Sequence, residues 1–234
     1  MSTTERSIPK KPERPIWPTY SWRAKNINPR LLYIRDHRQA DAAIVRLRKG
    51  PLGFDLEWRP NFIKGHPENP VALVQLSTEN TILLIQIYVM ESTEILPLFL
   101  PLLRLNYNTG FPSKLRELLN DPGVVKAGVG IQRKLGIPIT LYKLKRVFLS
   151  LDDCKKLAAD WNISVRNCVD LSLLARCVDN ARWKGRYVEP IGLARLVETY
   201  EQLSLPKGKI QRSNWETLLS DVQQDCMSQC LSEI

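Results

Sequence analysis

The run Leu52-Gly53-Phe54-Asp55-Leu56-Glu57-Trp58 sets two carboxylates one residue apart in an otherwise apolar segment. Gly50-Pro51 punctuates its start, and the run reads as a buried β-strand. Alternation sends Phe54, Leu56 and Trp58 to one face and Asp55 and Glu57 to the other. Two like charges on one face repel, and burying them is costly unless a cation is present. Mg²⁺ or Mn²⁺ would relieve the repulsion, because both prefer hard oxygen ligands. A half-exposed strand with a solvated acidic face would satisfy the same pattern, so the surroundings of the pair must decide.

A chain of 234 residues, 44% of them apolar, can bury a real core and fits one domain better than two. It has no stretch of 18 or more uncharged apolar residues. The longest candidate, Ile95 to Leu103, is too short and holds two prolines, so no membrane span is expected. Met1 to Arg14 carries acids and prolines and no apolar centre, unlike a secretory signal or an amphipathic transit peptide. The expected location is intracellular, with the nucleus first and the cytosol or mitochondrion open. Cys154, Cys168, Cys177, Cys226 and Cys230 form no Cys-x-x-Cys pair, and their odd number suggests free thiols. Only His37 and His66 could assist them, so a zinc site is not expected.

The formal charge of +10 favours a polyanionic partner such as nucleic acid, but its distribution weakens that argument. Residues 1–30 hold seven Lys/Arg against two Glu, and residues 133–151 hold five against no acid. The rest of the chain is neutral.

Residues 1–28, rich in Pro, Lys and Arg, read as a basic disordered arm, with order beginning near Arg30. Strands are expected at Leu31 to Ile34, Leu52 to Trp58, Val71 to Leu76 and Thr81 to Ile87, the last three forming an antiparallel start. Helices at Asp36 to Arg48, Lys114 to Asn120, Cys154 to Trp161, Leu171 to Cys177 and Leu193 to Tyr200 alternate with strands at Val124 to Val129 and Cys168 to Asp170. That alternation implies an α/β architecture, a mixed sheet with helices on both faces.

Five blocks then occur in a telling order: Gly53 to Trp58, Val71 to Leu76, Lys126-Ala127-Gly128-Val129-Gly130-Ile131, Asp153-Cys154-Lys155-Lys156-Leu157 and Arg212-Ser213-Asn214-Trp215. Together they resemble DEDD-type 3′-5′ exonucleases, most of all the Werner-syndrome-protein exonuclease-like branch with its fungal members, and ribonuclease D more distantly. The likeness covers most of Pro29 to Asp225. It implies a ribonuclease H-like fold and an exonuclease domain over residues 29–225 that removes nucleotides from a DNA or RNA 3′ end by two-metal hydrolysis with Mg²⁺ or Mn²⁺. By the same resemblance Asp55 and Glu57 match the first motif, and Asp153 matches the second, with Asp152 the neighbouring alternative. Asp55 would bridge two metals about 3.5 to 4 Å apart. Glu57 would hold the one carrying the attacking water, and Asp153 would reach the other. A Tyr in the third motif normally orients that water.

The chain departs from the family pattern in three places. Glu91 to Gly110 and Arg133 to Leu151 are insertions (91–110 and 133–151), and residues 226–234 form an atypical end. There, after Gln224-Asp225, the sequence reads Cys226-Met227-Ser228-Gln229-Cys230 where Tyr-x-x-x-Asp is expected. Asp225 falls one place before the expected Tyr, and Glu233 has no motif context, so neither receives a catalytic role. The Leu, Pro and Phe content of 96–103 and 147–151 is that of translated pyrimidine-rich tracts, pointing to intron-derived sequence; lineage-specific loops are the alternative. With the third motif missing, little or no turnover is expected. The rival reading is a non-catalytic nucleic-acid-binding or scaffold protein.

Other features carry less. Gly128-x-Gly130 reads as a tight strand end, not a phosphate loop. Trp183 to Tyr187 and Lys207 to Arg212 mix basic, glycine and aromatic or apolar residues, as a groove tracking a nucleic-acid backbone would. Trp215 is expected in the core, and Asp170 as the cap of the helix after it.

Overall fold

The computed structural model describes residues 15–25, 28–47, 50–90, 111–131, 153–184, 191–205, 210 and 213–231. The described elements run in the order α1 (Trp22–Lys25), β1 (Arg30–Ile34), α2 (His37–Val45), β2 (Leu52–Trp58), β3 (Val71–Ser77), β4 (Thr81–Ile85), a 3-10 turn (Ile87–Val89), α3 (Ser113–Asn120), β5 (Lys126–Gly128), α4 (Asp153–Trp161), β6 (Cys168–Asp170), α5 (Leu171–Val178), α6 (Leu193–Tyr200) and α7 (Asp221–Leu231). The six strands make one mixed sheet in the order β1-β4-β3-β2-β5-β6. The inner β2, β3 and β4 are antiparallel neighbours, while β1 joins β4, and β5 joins β2 and β6, in parallel.

Every residue of β3 is buried, as a central strand covered on both faces requires. One face packs Phe54, Leu56, Val74, Leu76, Leu83 and Ile85 against Ala40 and Ile44 of α2, Leu115 and Leu119 of α3, and Leu157 and Trp161 of α4. The i, i+4 spacing within each helix gives these pairs a common side. The opposite face packs Leu73, Ile82 and Leu84 against Val197 of α6 and Met227 of α7, with Trp215 and Leu219 between. This is the ribonuclease H-like arrangement, with helices on both faces.

Side-chain polar groups set where the helices lie. Asp36 caps α2 by accepting from the Gln39 N–H at 2.9 Å. Asp41 accepts from Ser113 Oγ and the Lys114 N–H, both at 2.8 Å, which ties α2 to the start of α3. At the far end of α4, Asp160 accepts from the Val71 N–H at 2.9 Å, and Trp161 donates to the Val71 carbonyl at 3.1 Å. Lys156 bonds Asp160 at 2.9 Å and lies over the Trp58 ring at 4.9 Å, so its buried charge is satisfied. These contacts anchor α4 to the start of β3 and leave its first turn beside β2.

The N-terminal arm departs from the expectation of disorder through residue 28. Tyr20 and Trp22 are each 1% exposed within the second core. Thr19 bridges Ser204 in parallel, with Tyr20 N–H to the Ser204 carbonyl at 2.9 Å and Ser204 N–H to the Pro18 carbonyl at 2.8 Å. Burial of two large aromatics outweighs the Pro, Lys and Arg content that suggested a mobile segment. Residues 1–14 lie outside the described residues, as do both insertions, residues 185–190, 206–209, 211–212 and 232–234. α7 runs through residue 225. Among the described residues no helix is long and apolar enough to cross a membrane.

Candidate active site

Asp55 and Glu57 project from β2 on the face opposite Phe54 and Leu56, as the alternation requires. The pair is half-buried rather than solvated. Burial raises the Asp55 carboxyl to about 6, against the smaller opposite pull of hydrogen bonds from Leu56 and Asp153. Burial also pushes Glu57 well above its ordinary range, and the charges of Asp55 and Cys226 push it further. No cation among the described residues pairs with either carboxylate.

The hydrogen bond between Asp55 and Asp153 joins positions 98 residues apart. Asp153 is buried in the first turn of α4, where the Cys154 N–H donates to the Ile131 carbonyl at 3.3 Å. Asp152 lies outside the described residues. The structure therefore brings Asp55, Glu57 and Asp153 to one region, although no three His, Cys, Asp or Glu side chains converge tightly enough among the described residues to enclose a single ion.

Gln75 is the polar residue that the sequence reading missed. It faces Asp55 across the β2–β3 register and is fully buried. Its amide lies near enough to Glu57 to oppose the rise in that group's pKa, yet among the described residues neither Nε2 nor Oε1 completes a hydrogen bond. Electrostatic proximity, not a formed bond, describes that contact. A lone Gln within Val71-Ala72-Leu73-Val74-Gln75-Leu76 was the available signal, since a buried amide in a central strand demands a partner.

The strand end beside the carboxylates is held by close backbone packing. A Cβ at Gly128 would stand 2.3 Å from the Phe54 carbonyl oxygen and 2.7 Å from Ile131 Cγ2, so only glycine lets β5 approach β2 this closely. Gly130 adopts φ +82° and donates its N–H to Asp170 at 2.9 Å. The other oxygen of Asp170 caps α5 through the Ser172 and Leu173 N–H groups at 2.9 and 3.2 Å. Replacing it by Ala removes the cap and strands the Gly130 donor, so Asp170→Ala is expected to cost about 1–2 kcal/mol. A lower urea midpoint at unchanged slope is the corresponding readout; an unshifted midpoint would contradict this account.

α7 closes the carboxylate face. Gln86 donates to the Trp215 and Thr217 carbonyls at 2.9 and 2.6 Å and accepts from the Tyr33 hydroxyl, while Tyr33 accepts from the Leu219 N–H at 3.0 Å. Trp215, fully buried as expected, completes this anchor. Cys226 then comes close enough to Glu57 to act on its charge. Asp225, one place before Cys226, pairs with Arg23 at 3.4 Å.

No protein-family model matches the chain. Among curated proteins it is 26% identical over 201 residues to a 3′-5′ exonuclease of Arabidopsis thaliana, covering 80% of this chain and 54% of that protein. It is 30% identical over 166 residues to Exonuclease 3′-5′ domain-containing protein 2 of Drosophila melanogaster, covering 70% of this chain and 20% of that one. The chain thus spans about half of the first relative and a fifth of the second. Among solved structures, the fold resembles Trypanosoma brucei RNase D in its GMP complex, with TM-score 0.63, 13% identity and coverage of 88% and 55% of the two chains. It also resembles the Aedes aegypti Nibbler EXO domain, with TM-score 0.55, 22% identity and coverage of 87% and 84%. The relatives carry the names of 3′-5′ exonucleases and the structural neighbours are RNase D and exonuclease domains, which is consistent with the DEDD 3′-5′ exonuclease family.

Proposed function

We propose that this domain binds the 3′ end of a nucleic acid at the Asp55, Glu57 and Asp153 carboxylates, in the manner of a two-metal 3′-5′ exonuclease, and that the chain as it stands turns over slowly or not at all. The observation carrying this reading is the contact between Asp55 and Asp153 beside Glu57, three carboxylates drawn together from separate elements. A purely structural acidic cluster would be costly in this setting.

Hard oxygen donors and the unsatisfied Gln75 amide fit hydrated Mg²⁺ or Mn²⁺. The lack of a tight group of three is compatible with two sites, because Asp55 would be shared, with Asp153 completing one site and Glu57 the other. When bound, such ions supply an activated water and stabilise the departing 3′ oxygen. The chain's own residues do the positioning. β2 presents two carboxylates on one face, α4 brings in the third, and Gln75 offers a donor and an acceptor to water in that shell.

Cys226 occupies the position expected for the water-orienting Tyr, and Cys230 that of the last carboxylate. A thiol at 226 is shorter than a phenol and cannot hold water at the same place, while a missing carboxylate removes a hard ligand. Slow turnover follows, and a binding or scaffold role is the second reading that this substitution favours.

A duplex with a recessed, labelled 3′ strand separates the two readings. Incubated with Mg²⁺ or Mn²⁺, residual enzyme activity shortens the strand in a manner abolished by EDTA and by Asp55→Ala. Retarded migration without shortening identifies the binder. Neither retardation nor shortening on DNA or RNA would remove the nucleic-acid assignment altogether.

A further inference from the structure

Outside the carboxylate cluster, two cysteines that the proposed reaction does not use lie in direct contact. Cys154 Sγ and Cys168 Sγ are 3.3 Å apart, both half-buried, with no disulfide bond joining them. One belongs to the first turn of α4, next to Asp153, and the other opens β6. Lys126 lies beside Cys168 in the β5–β6 register, and its ammonium is within electrostatic range of both sulfurs. That ammonium is held in place by bonds to the Asp121 and Val124 carbonyls at 2.6 and 2.9 Å.

We propose that Cys154 and Cys168 are a site of reversible oxidation, forming an intramolecular disulfide that fastens the first turn of α4 to β6. The sulfurs need to approach by only about 1.2 Å to reach bonding distance. A fixed cation nearby stabilises the negative charge that builds on sulfur during thiol oxidation and exchange. With a peroxide as oxidant, one sulfur attacks a peroxide oxygen, the O–O bond breaks and water leaves, giving a sulfenic acid. The second sulfur then attacks the first, the S–S bond forms, the S–O bond breaks and a second water leaves. The two sulfurs give up two electrons, and the peroxide is reduced to two waters.

The closed loop spans 14 positions and includes α4 from Cys154 onward, so the bridge holds the helix carrying Asp153 at its start. The site stands whether or not the domain cleaves nucleic acid, because its formation is read directly as a covalent bond.

The full chain is treated with hydrogen peroxide, its remaining thiols are alkylated, and it is digested with trypsin, which cuts at Arg166 between the two cysteines. The expected product is a linked peptide pair containing Cys154 and Cys168, released by dithiothreitol. Cys177→Ser, at an exposed position, should retain the link, while Cys154→Ser and Cys168→Ser should each lose it. Oxidation should raise the melting temperature of the full chain by about 5–10 °C, reversed by reductant and absent from both single serine variants. Recovery of Cys154 and Cys168 only as separate alkylated or over-oxidised peptides would overturn the proposal. Equal linkage of either to Cys177 or Cys226 would do the same, and both outcomes can be read on folded wild-type protein.

Discussion

Replacing Cys226 by Tyr and Cys230 by Asp in the full chain is expected to raise Mg²⁺-dependent shortening of a recessed 3′ strand by at least about 10²-fold. The reasoning starts from α7, which Gln86, Tyr33 and Trp215 fasten across the carboxylate face. Position 226 already faces Glu57 closely enough to influence its ionisation. A phenol there would reach a water held at Glu57, which a shorter thiol cannot do. Position 230 lies one helical turn further along the sequence, the spacing at which the family places its last carboxylate. Both changes are needed, because a water must be both activated and aligned. The paired variant should lose its gain when Asp55→Ala is added. If it binds Mn²⁺, shown by thermal stabilisation, yet cleaves no faster than the parent chain, the assignment of 226 and 230 to the third motif is wrong.

The metal-free protein should become less stable as pH rises from about 4 to about 7, and Asp55→Asn should remove much of that loss. Burial lifts the folded-state Asp55 pKa from 3.8 to about 6. The folded form therefore holds this proton more tightly than the unfolded chain. Its contribution is complete below the unfolded value and is lost as pH climbs through the folded one. Glu57 is displaced in the same direction and adds to the trend. At about 1.4 kcal/mol per pH unit, the contribution of Asp55 amounts to about 3 kcal/mol at neutral pH. Asp55→Asn should accordingly raise the melting temperature at pH 7.5 by about 5–10 °C in EDTA, with little difference at pH 4. Adding Mn²⁺ or Mg²⁺ should stabilise the parent at pH 7.5 and leave the variant unmoved. A variant equally or less stable than the parent at every pH would show that the site's carboxylates are not under electrostatic strain.

Much of the scaffold was legible because it rests on local patterns. Strict alternation in Leu52 to Trp58 separated Asp55 and Glu57 from the apolar face, and the run Val71 to Leu76 marked a strand covered on both sides. Asp170 stands immediately before a helix and serves as its cap, whereas Asp36, expected as the first helical residue, proves to be the cap of α2. Tyr20 and Trp22 were misread because arm composition says nothing about a distant groove between Trp215, Leu205 and the sheet. Gln75 was missed for a related reason: its significance depends on facing Asp55 across a strand pair and finding no hydrogen-bond partner.

Residue order alone determined the antiparallel β2–β3–β4 start, the alternation of helices and strands that follows and the presence of Asp55 and Glu57 on one side of a strand, since each rests on short links between strands or on periodicities of two or of 3.6 residues. Tertiary structure decided that Asp153 touches Asp55 across 98 positions, that Cys226 comes within electrostatic range of Glu57, and that Cys154 meets Cys168. Those meetings depend on how α4 and α7 are fastened to the sheet, by Asp160 and Trp161 on Val71 and by Gln86 on the Trp215 turn. Contacts of that range are set by packing and buried hydrogen bonds between separate elements, which no local pattern encodes.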